Sequence, residues 1–195
     1  LQKTRSEKIR FAFIGTILPA KCLHVLIEAF NGIKEKNVEL KIYGKMYPYT
    51  GFEDYLPHLK GMIKNKNIIF MDEFNYKDIA AVLKTVDVLI VPSIWRENAP
   101  SVIQEAFITN TPVIASNIGG MPEFISQAVN GFLFNPGDSE GLRERIESII
   151  RNPDIISELK ESMPFVRSIE ENAKDIEDIY IKLAVDRALS YKGAM

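Results

Sequence analysis

The sequence predicts an α/β domain built on a parallel sheet of about six strands, with helices covering both faces. Three observations carry that prediction. Short apolar runs rich in β-branched residues alternate with amphipathic stretches along all 195 residues. Each strand-like run is separated from the next by a segment able to cross over as a helix, the connection that parallel pairing requires. The length suits one substantial domain, and neither an internal repeat nor a low-complexity linker divides it.

The elements follow in order. Arg10–Ile14 ends at Gly15 and reads as the first strand, and Lys21–Lys36 sets Leu23, Leu26, Ile27, Phe30 and Ile33 on one helical face. Glu39–Tyr43 before Gly44 is the second strand. Glu53–Lys64 reads as a helix weakened by Pro57 and Gly61. Asn67–Met71 is the third strand, followed by a helix over Tyr76–Thr85 capped by Asn75. Val86–Val91 is the fourth strand, closed by Pro92-Ser93, and Pro100–Asn110 is a helix with proline at its first position. Thr111–Ala115, a short helix Pro122–Val129 and Gly131–Phe134 complete the sheet. Helices over Ser139–Arg151, Pro153–Ser162 and Ile169–Ser190 end the chain, the first carrying the core stripe Leu142, Ile146, Ile149 and Ile150. Sheets of this kind hold ligands at the carboxyl ends of their strands, near a topological switch point.

Composition excludes several functions. The formal net charge of −2 offers no electrostatic basis for nucleic-acid binding. The first third is nonetheless basic and the remainder acidic. That fits phosphates or an anionic membrane surface, and equally a set of solvated lysines. Cys22 is the single cysteine and His24 and His58 the two histidines, which excludes an intrachain disulfide and any cysteine-based or histidine-rich metal site. Asp72-Glu73 is a weak metal candidate. No apolar run approaches the roughly 18 residues of a membrane span, and the first residues do not read as a signal peptide. Dinucleotide, P-loop and nucleophile-elbow motifs are all missing.

The stretch after the fourth strand is the most informative. Glu97 and Glu105 stand with seven residues between them, Glu97 in the loop at the mouth of the helix and Glu105 inside it. With about 1.5 Å of rise per residue, Glu105 lies roughly 7.5 Å along the axis. A pair so placed accepts hydrogen bonds from ligand hydroxyls, while the free amides of Ser101 and Val102 suit an anion. Sugar hydroxyls flanking a phosphate meet these demands together. The same spacing also fits a carboxylate favouring a helix N-terminus and a solvated Glu105. Gly119-Gly120 lets backbone approach a ligand closely, or simply turns the chain into the helix begun by Pro122-Glu123. Gly15 leads to Lys21, which can reach a phosphate or stand in solvent.

Together these residues resemble the nucleotide-sugar-binding C-terminal domain of GT-B glycosyltransferases, in particular the large retaining group called family 4. The similarity runs from Phe13-Ile14-Gly15 and Lys21 through Leu40–Gly44, then Val88–Ser93 with Glu97 and Glu105-Ala106. It continues through Thr111–Ser116, Gly119-Gly120, Glu123 and Asn130–Phe134. The resemblance implies a Rossmann-like three-layer domain over residues 1–195, with 1–8 as an interdomain linker and 169–195 as a terminal helix and tail. It implies that Gly15, Thr16 and Lys21 meet the donor diphosphate, and that Glu105 binds the ribose. Glu97 would contact the transferred sugar and, with Lys21, act in catalysis. Ser101 and Val102 would lie near phosphate or sugar, Gly44 beside the nucleoside, and backbone around Met71 would hold the base.

The implied reaction moves a hexosyl group from a nucleoside-diphosphate sugar of UDP or GDP type to an acceptor hydroxyl with retention, requiring no cofactor and no metal. Implied partners are the donor, an N-terminal acceptor domain, and a glycan or lipid acceptor. The setting is the cytoplasm, with peripheral contact at the inner membrane face if the acceptor is a lipid. Two positions depart from the family. Thr16 stands where an arginine is common, which removes one of two cations from the leaving diphosphate, and Cys22 stands where glycine is usual. A GT-B sugar-nucleotide epimerase and a non-catalytic nucleotide-sugar-binding domain are the alternatives, and the isolated chain is expected to bind nucleotide without turnover.

Overall fold

The computed structural model describes residues 3–47, 50–71 and 73–192, with side chains described as far as residue 185. The chain divides into two compact units, Leu1–Pro164 and Phe165–Met195. In the first, strands β1 (Ile9–Ile14), β2 (Val38–Tyr43), β3 (Ile68–Phe70), β4 (Val88–Val91), β5 (Val113–Ser116) and β6 (Gly131–Phe134) form one parallel sheet. The spatial order is β3-β2-β1-β4-β5-β6. Connections leave β1 toward one edge and return at β4 to build toward the other, so the switch point lies between these two central strands. The sheet is α/β and Rossmann-like, as the alternation predicts.

Burial on both faces accounts for the unbroken apolar strands. Phe11 and Phe13 enter the large core with Leu26 and Phe30 of α1 (Leu23–Asn31) and Ile146 and Ile149 of α6 (Ser139–Arg151). Ala12 points the other way, into a smaller cluster with Tyr43 and Val86. α2 (Tyr55–Met62) forms despite Pro57, which falls in its first turn where a missing amide costs little.

The predicted helix boundaries need correction where side chains or backbone end a helix early. Helix α1 starts at Leu23 rather than Lys21, because Pro19–Lys21 is a 3-10 turn and Cys22 is left-handed at φ 51°. It stops at Asn31, whose side chain donates to Met62 O at 2.8 Å and accepts from Lys64 N at 2.9 Å. The helix expected over Pro122–Val129 is only α5 (Met121–Phe124), because Asn130 takes the Phe124 carbonyl and the Ser126 amide. The stretch expected as one helix over Tyr76–Thr85 is a 3-10 turn, Tyr76–Asp78, followed by α3 (Ile79–Leu83). Pro100 caps α4 (Ser101–Ile108) instead of beginning it. The first unit ends with α7 (Ile155–Glu161). In the second unit, α8 (Ile169–Lys192) begins with a reciprocal capping box. Glu171 accepts from Ser168 N at 2.7 Å, and Ser168 Oγ accepts from Glu171 N at 3.2 Å. Among the described residues no helix is long and apolar enough to cross a membrane.

The amino ends of β1 and β4 are locked by a charged pair. Arg10 donates through Nε (2.8 Å) and Nη2 (2.7 Å) to the two oxygens of Asp87, whose Oδ2 also accepts the Arg10 amide at 2.9 Å. Beside it, Lys3 donates to the Leu83 carbonyl at 2.7 Å and to Thr111. Burial first, then the positive charge of Lys160, push the Lys3 ammonium down to about 7.

A close backbone approach fixes the β4–α4 loop. Gly120 N donates to Glu97 O at 2.7 Å, and a Cβ on Gly120 would overlap the Asn98 carbonyl. Gly119, at φ 62°, packs against the backbone of Arg96 and Glu97. Of the two roles open to the glycine pair, ligand approach or a tight turn, the structure shows close packing of the turn on the protein's own loop.

Three outcomes test these contacts. Asp87→Ala strands a buried guanidinium and should cost about 3–5 kcal/mol in denaturant unfolding. Gly120→Ala forces the loop to move and should cost about 1–3 kcal/mol in the same assay. The folded-state pKa of Lys3 lies below its unfolded value, so the unfolded chain binds more protons between about pH 7 and pH 10 and the charge penalty fades as pH rises. Melting of Lys3→Met should therefore compare best with the parent near pH 6 and lose ground steadily toward pH 10.

Candidate functional site

The site lies at the carboxyl ends of β1 and β4, where the switch point opens the sheet edge. After β1 the chain runs Gly15-Thr16 to the 3-10 turn ending at Lys21; after β4 it runs Pro92-Ser93 to the Glu97 loop. The two segments are stitched together. Ile94 N donates to Ala20 O at 2.9 Å, Ser93 Oγ donates to the same carbonyl at 3.1 Å, and Trp95 N donates back to Ser93 Oγ at 3.2 Å. This stitching brings Lys21 Nζ onto Glu97 Oε1 as an ion pair, with side chains 30% and 16% exposed. Cys22, next to Lys21, holds a left-handed backbone that costs a non-glycine residue about 1–2 kcal/mol. Its side chain is buried, which pushes the thiol pKa up.

Two hollows adjoin here. The first, about 210 Å³, is lined by Gly15, Thr16, Lys21, Ser93, Glu97, Ser101 and Val102 among others. The second, about 320 Å³, contains Gly44, Tyr43, Phe74, Tyr76 and Glu105, and shares Gly15, Thr16, Ser101 and Val102 with the first. Ser101 and Val102 are the first residues of α4, and Pro100 gives that helix no side-chain cap. Their amides and the positive end of the helix dipole therefore stand at the partition between the hollows. Glu97 and Glu105 face different hollows, one at each side of that partition.

Glu105 is held by Tyr76, whose phenol donates to Glu105 Oε1. That hydrogen bond, more than partial burial, raises the phenol pKa. The floor of the second hollow is aromatic: Tyr43 and Phe74 meet edge to face with centroids 5.8 Å apart. Lys45 at its rim pairs with Glu73 at 2.9 Å and lies 5.5 Å over the Tyr47 ring.

The structure thus gathers eight of the nine predicted residues, Gly15, Thr16, Lys21, Gly44, Glu97, Ser101, Val102 and Glu105, around the two hollows. Met71, around which backbone was expected to hold the base, is not among the lining residues; its side chain packs on the Ala12–Tyr43–Val86 cluster, and Glu73 and Phe74, just beyond it, line the second hollow. Asp72 lies outside the described residues. Tyr76 and Tyr43 are functional candidates that sequence reasoning missed; the signal for Tyr43 was its place directly before Gly44 at a strand end. His24 is a structural residue, its Nδ1 3.0 Å from the Tyr55 hydroxyl and its pKa lowered by burial. Among the described residues no group of three His, Cys, Asp or Glu could hold a metal ion.

Comparison with known proteins places the chain in a family. The spore coat protein SA of Bacillus subtilis is 27% identical over 148 residues, 73% of this chain and 39% of that protein. A phosphatidyl-myo-inositol mannosyltransferase of Mycobacterium leprae is 30% identical over 142 residues, 72% of this chain and 36% of that protein. The chain therefore spans well under half the length of these curated relatives. The crystal structure of Anabaena Alr3699/HepE in complex with UDP and glucose superposes with a TM-score of 0.72 at 25% identity, covering 80% of this chain and 42% of that one. The family model for glycosyl transferases group 1 matches residues 2–175. With nearly all of its length so matched, and with a Rossmann-like sheet like those of GT-B enzymes, the chain belongs to the glycosyl transferases group 1 family.

Proposed function

We propose that the chain is the donor-binding part of a retaining family 4 glycosyltransferase that takes a sugar from a nucleoside diphosphate and passes it to an acceptor hydroxyl. The observation that carries this reading is the pair of adjoining hollows with an uncapped helix start between them and one carboxylate in each. A nucleoside in the second hollow, diphosphate at the partition and sugar in the first match that layout group for group. The solved HepE complexes with UDP and with UDP-glucose support the same ligand class.

In this reading the ribose hydroxyls donate to Glu105, and the diphosphate accepts from the Ser101 and Val102 amides. Lys21 leaves Glu97 for the diphosphate, and the freed carboxylate accepts from the sugar hydroxyls. As the glycosidic bond breaks, negative charge grows on the diphosphate, and Lys21 with the helix start stabilises it. Thr16 offers a hydroxyl but no second positive charge there. No metal enters this scheme. The acceptor and any catalytic group that binds it come from outside this chain, so binding without turnover is the behaviour expected of the 195 residues alone.

Calorimetric titration with UDP, GDP and ADP should give heat with at least one of them, and silence with all three would count against a competent donor site. Glu105→Ala should weaken the nucleotide that binds by about 1–3 kcal/mol, through loss of the ribose contact.

A further inference from the structure

Tyr76 is an unusual surface residue. Its ring is 64% exposed at the lip of the second hollow, on a 3-10 turn outside the main core. The turn is nevertheless well fixed, because Asn75 caps it by accepting from Lys77 N at 3.0 Å. From there the phenol reaches across to α4 and donates to Glu105 Oε1. Ser101, one turn earlier on α4, lines the same hollow. One hydroxyl therefore links the 3-10 turn to the carboxylate in the hollow.

A glutamate side chain on a helix surface loses considerable rotamer freedom when it is ordered, whereas a tyrosine carries little to lose. A carboxylate has two oxygens and about four acceptor positions. The phenol takes one on Oε1, which leaves Oε2 and the remaining lone pair for two neighbouring hydroxyls. The arrangement thus orders Glu105 before a ligand arrives without using up its capacity to accept from a vicinal diol.

We propose that Tyr76 is a positioning residue for nucleoside recognition: its hydroxyl holds Glu105 ready for the 2′ and 3′ hydroxyls of a ribonucleoside diphosphate. The inference rests on the donor-site reading above and deepens it, by assigning ribose selection to a tyrosine–glutamate pair. Tyr76→Phe keeps the ring and removes only the hydroxyl, so it separates this role from a stacking or covering role.

The test is calorimetric titration of the 195-residue chain, its Tyr76→Phe and Glu105→Ala forms and the double variant, with UDP and 2′,3′-dideoxy-UDP, or the guanosine pair if GDP is the tighter binder. Melting curves check that each variant folds. Tyr76→Phe should weaken UDP roughly three- to tenfold, leave the dideoxy nucleotide unchanged, and cost nothing further once Glu105 is alanine. Equal or tighter UDP binding by Tyr76→Phe overturns the proposal, as does an equal loss for both nucleotides, since the hydroxyl would then act elsewhere than on the ribose. In either case UDP binding that still depends on Glu105 leaves the donor-site reading intact. Absence of binding by the unaltered chain defeats the donor-site reading, and the proposal with it. If Glu105→Ala misfolds, the dideoxy comparison alone decides.

Discussion

The loop between β4 and α4 is clamped between two stretches of backbone, and the site depends on that clamp. On one side the Ala20 carbonyl accepts from both Ser93 Oγ and Ile94 N. On the other, Gly120 presses on Asn98 so closely that no side chain fits between them, and its amide donates to Glu97 O. A loop pinned on both flanks can hold a carboxylate against a lysine from another segment at modest entropic cost. Released from either flank, Glu97 would become one more solvated surface charge.

The clamp works because the sheet parts where it does. Crossovers run in opposite directions from β1 and into β4, which leaves a gap at the carboxyl ends of the central strands. The uncapped start of α4 projects into that gap and divides it into two hollows of different character. One holds an ammonium–carboxylate pair, Lys21 with Glu97; the other is walled by tyrosine and phenylalanine. The opposite edge of the sheet is closed by Arg10 and Asp87, whose fork geometry joins the same two strands at their amino ends. The two strands that frame the site are therefore fastened at one end and open at the other.

Both acidic groups already have partners within the chain, Glu97 with Lys21 and Glu105 with Tyr76. These two pairings differ in kind. The Lys21–Glu97 ion pair joins two oppositely charged groups in a partly exposed hollow, each satisfying the other's charge. A phenol on one carboxylate oxygen leaves the other accessible, so it orders the group without blocking it.

Much of this was legible in the residues themselves. Alternating apolar runs and helical crossovers determine a parallel sheet, because apolar strands need cover on both faces. The seven-residue interval between Glu97 and Glu105 placed them on either side of a helix start, since helical rise is a local property. Helix ends were less legible: Asn31 and Asn130 stop α1 and α5 through side-chain hydrogen bonds that periodicity does not reveal. Only tertiary structure could assign the Gly119-Gly120 pair to the Glu97 loop, turn Met71 into the core cluster, or bring Tyr76 to Glu105, 29 residues away. Each of these depends on how far apart two distant segments lie once the sheet is built. Local pattern sets which face of an element is apolar, and the meeting of separate loops at a sheet edge is decided by packing.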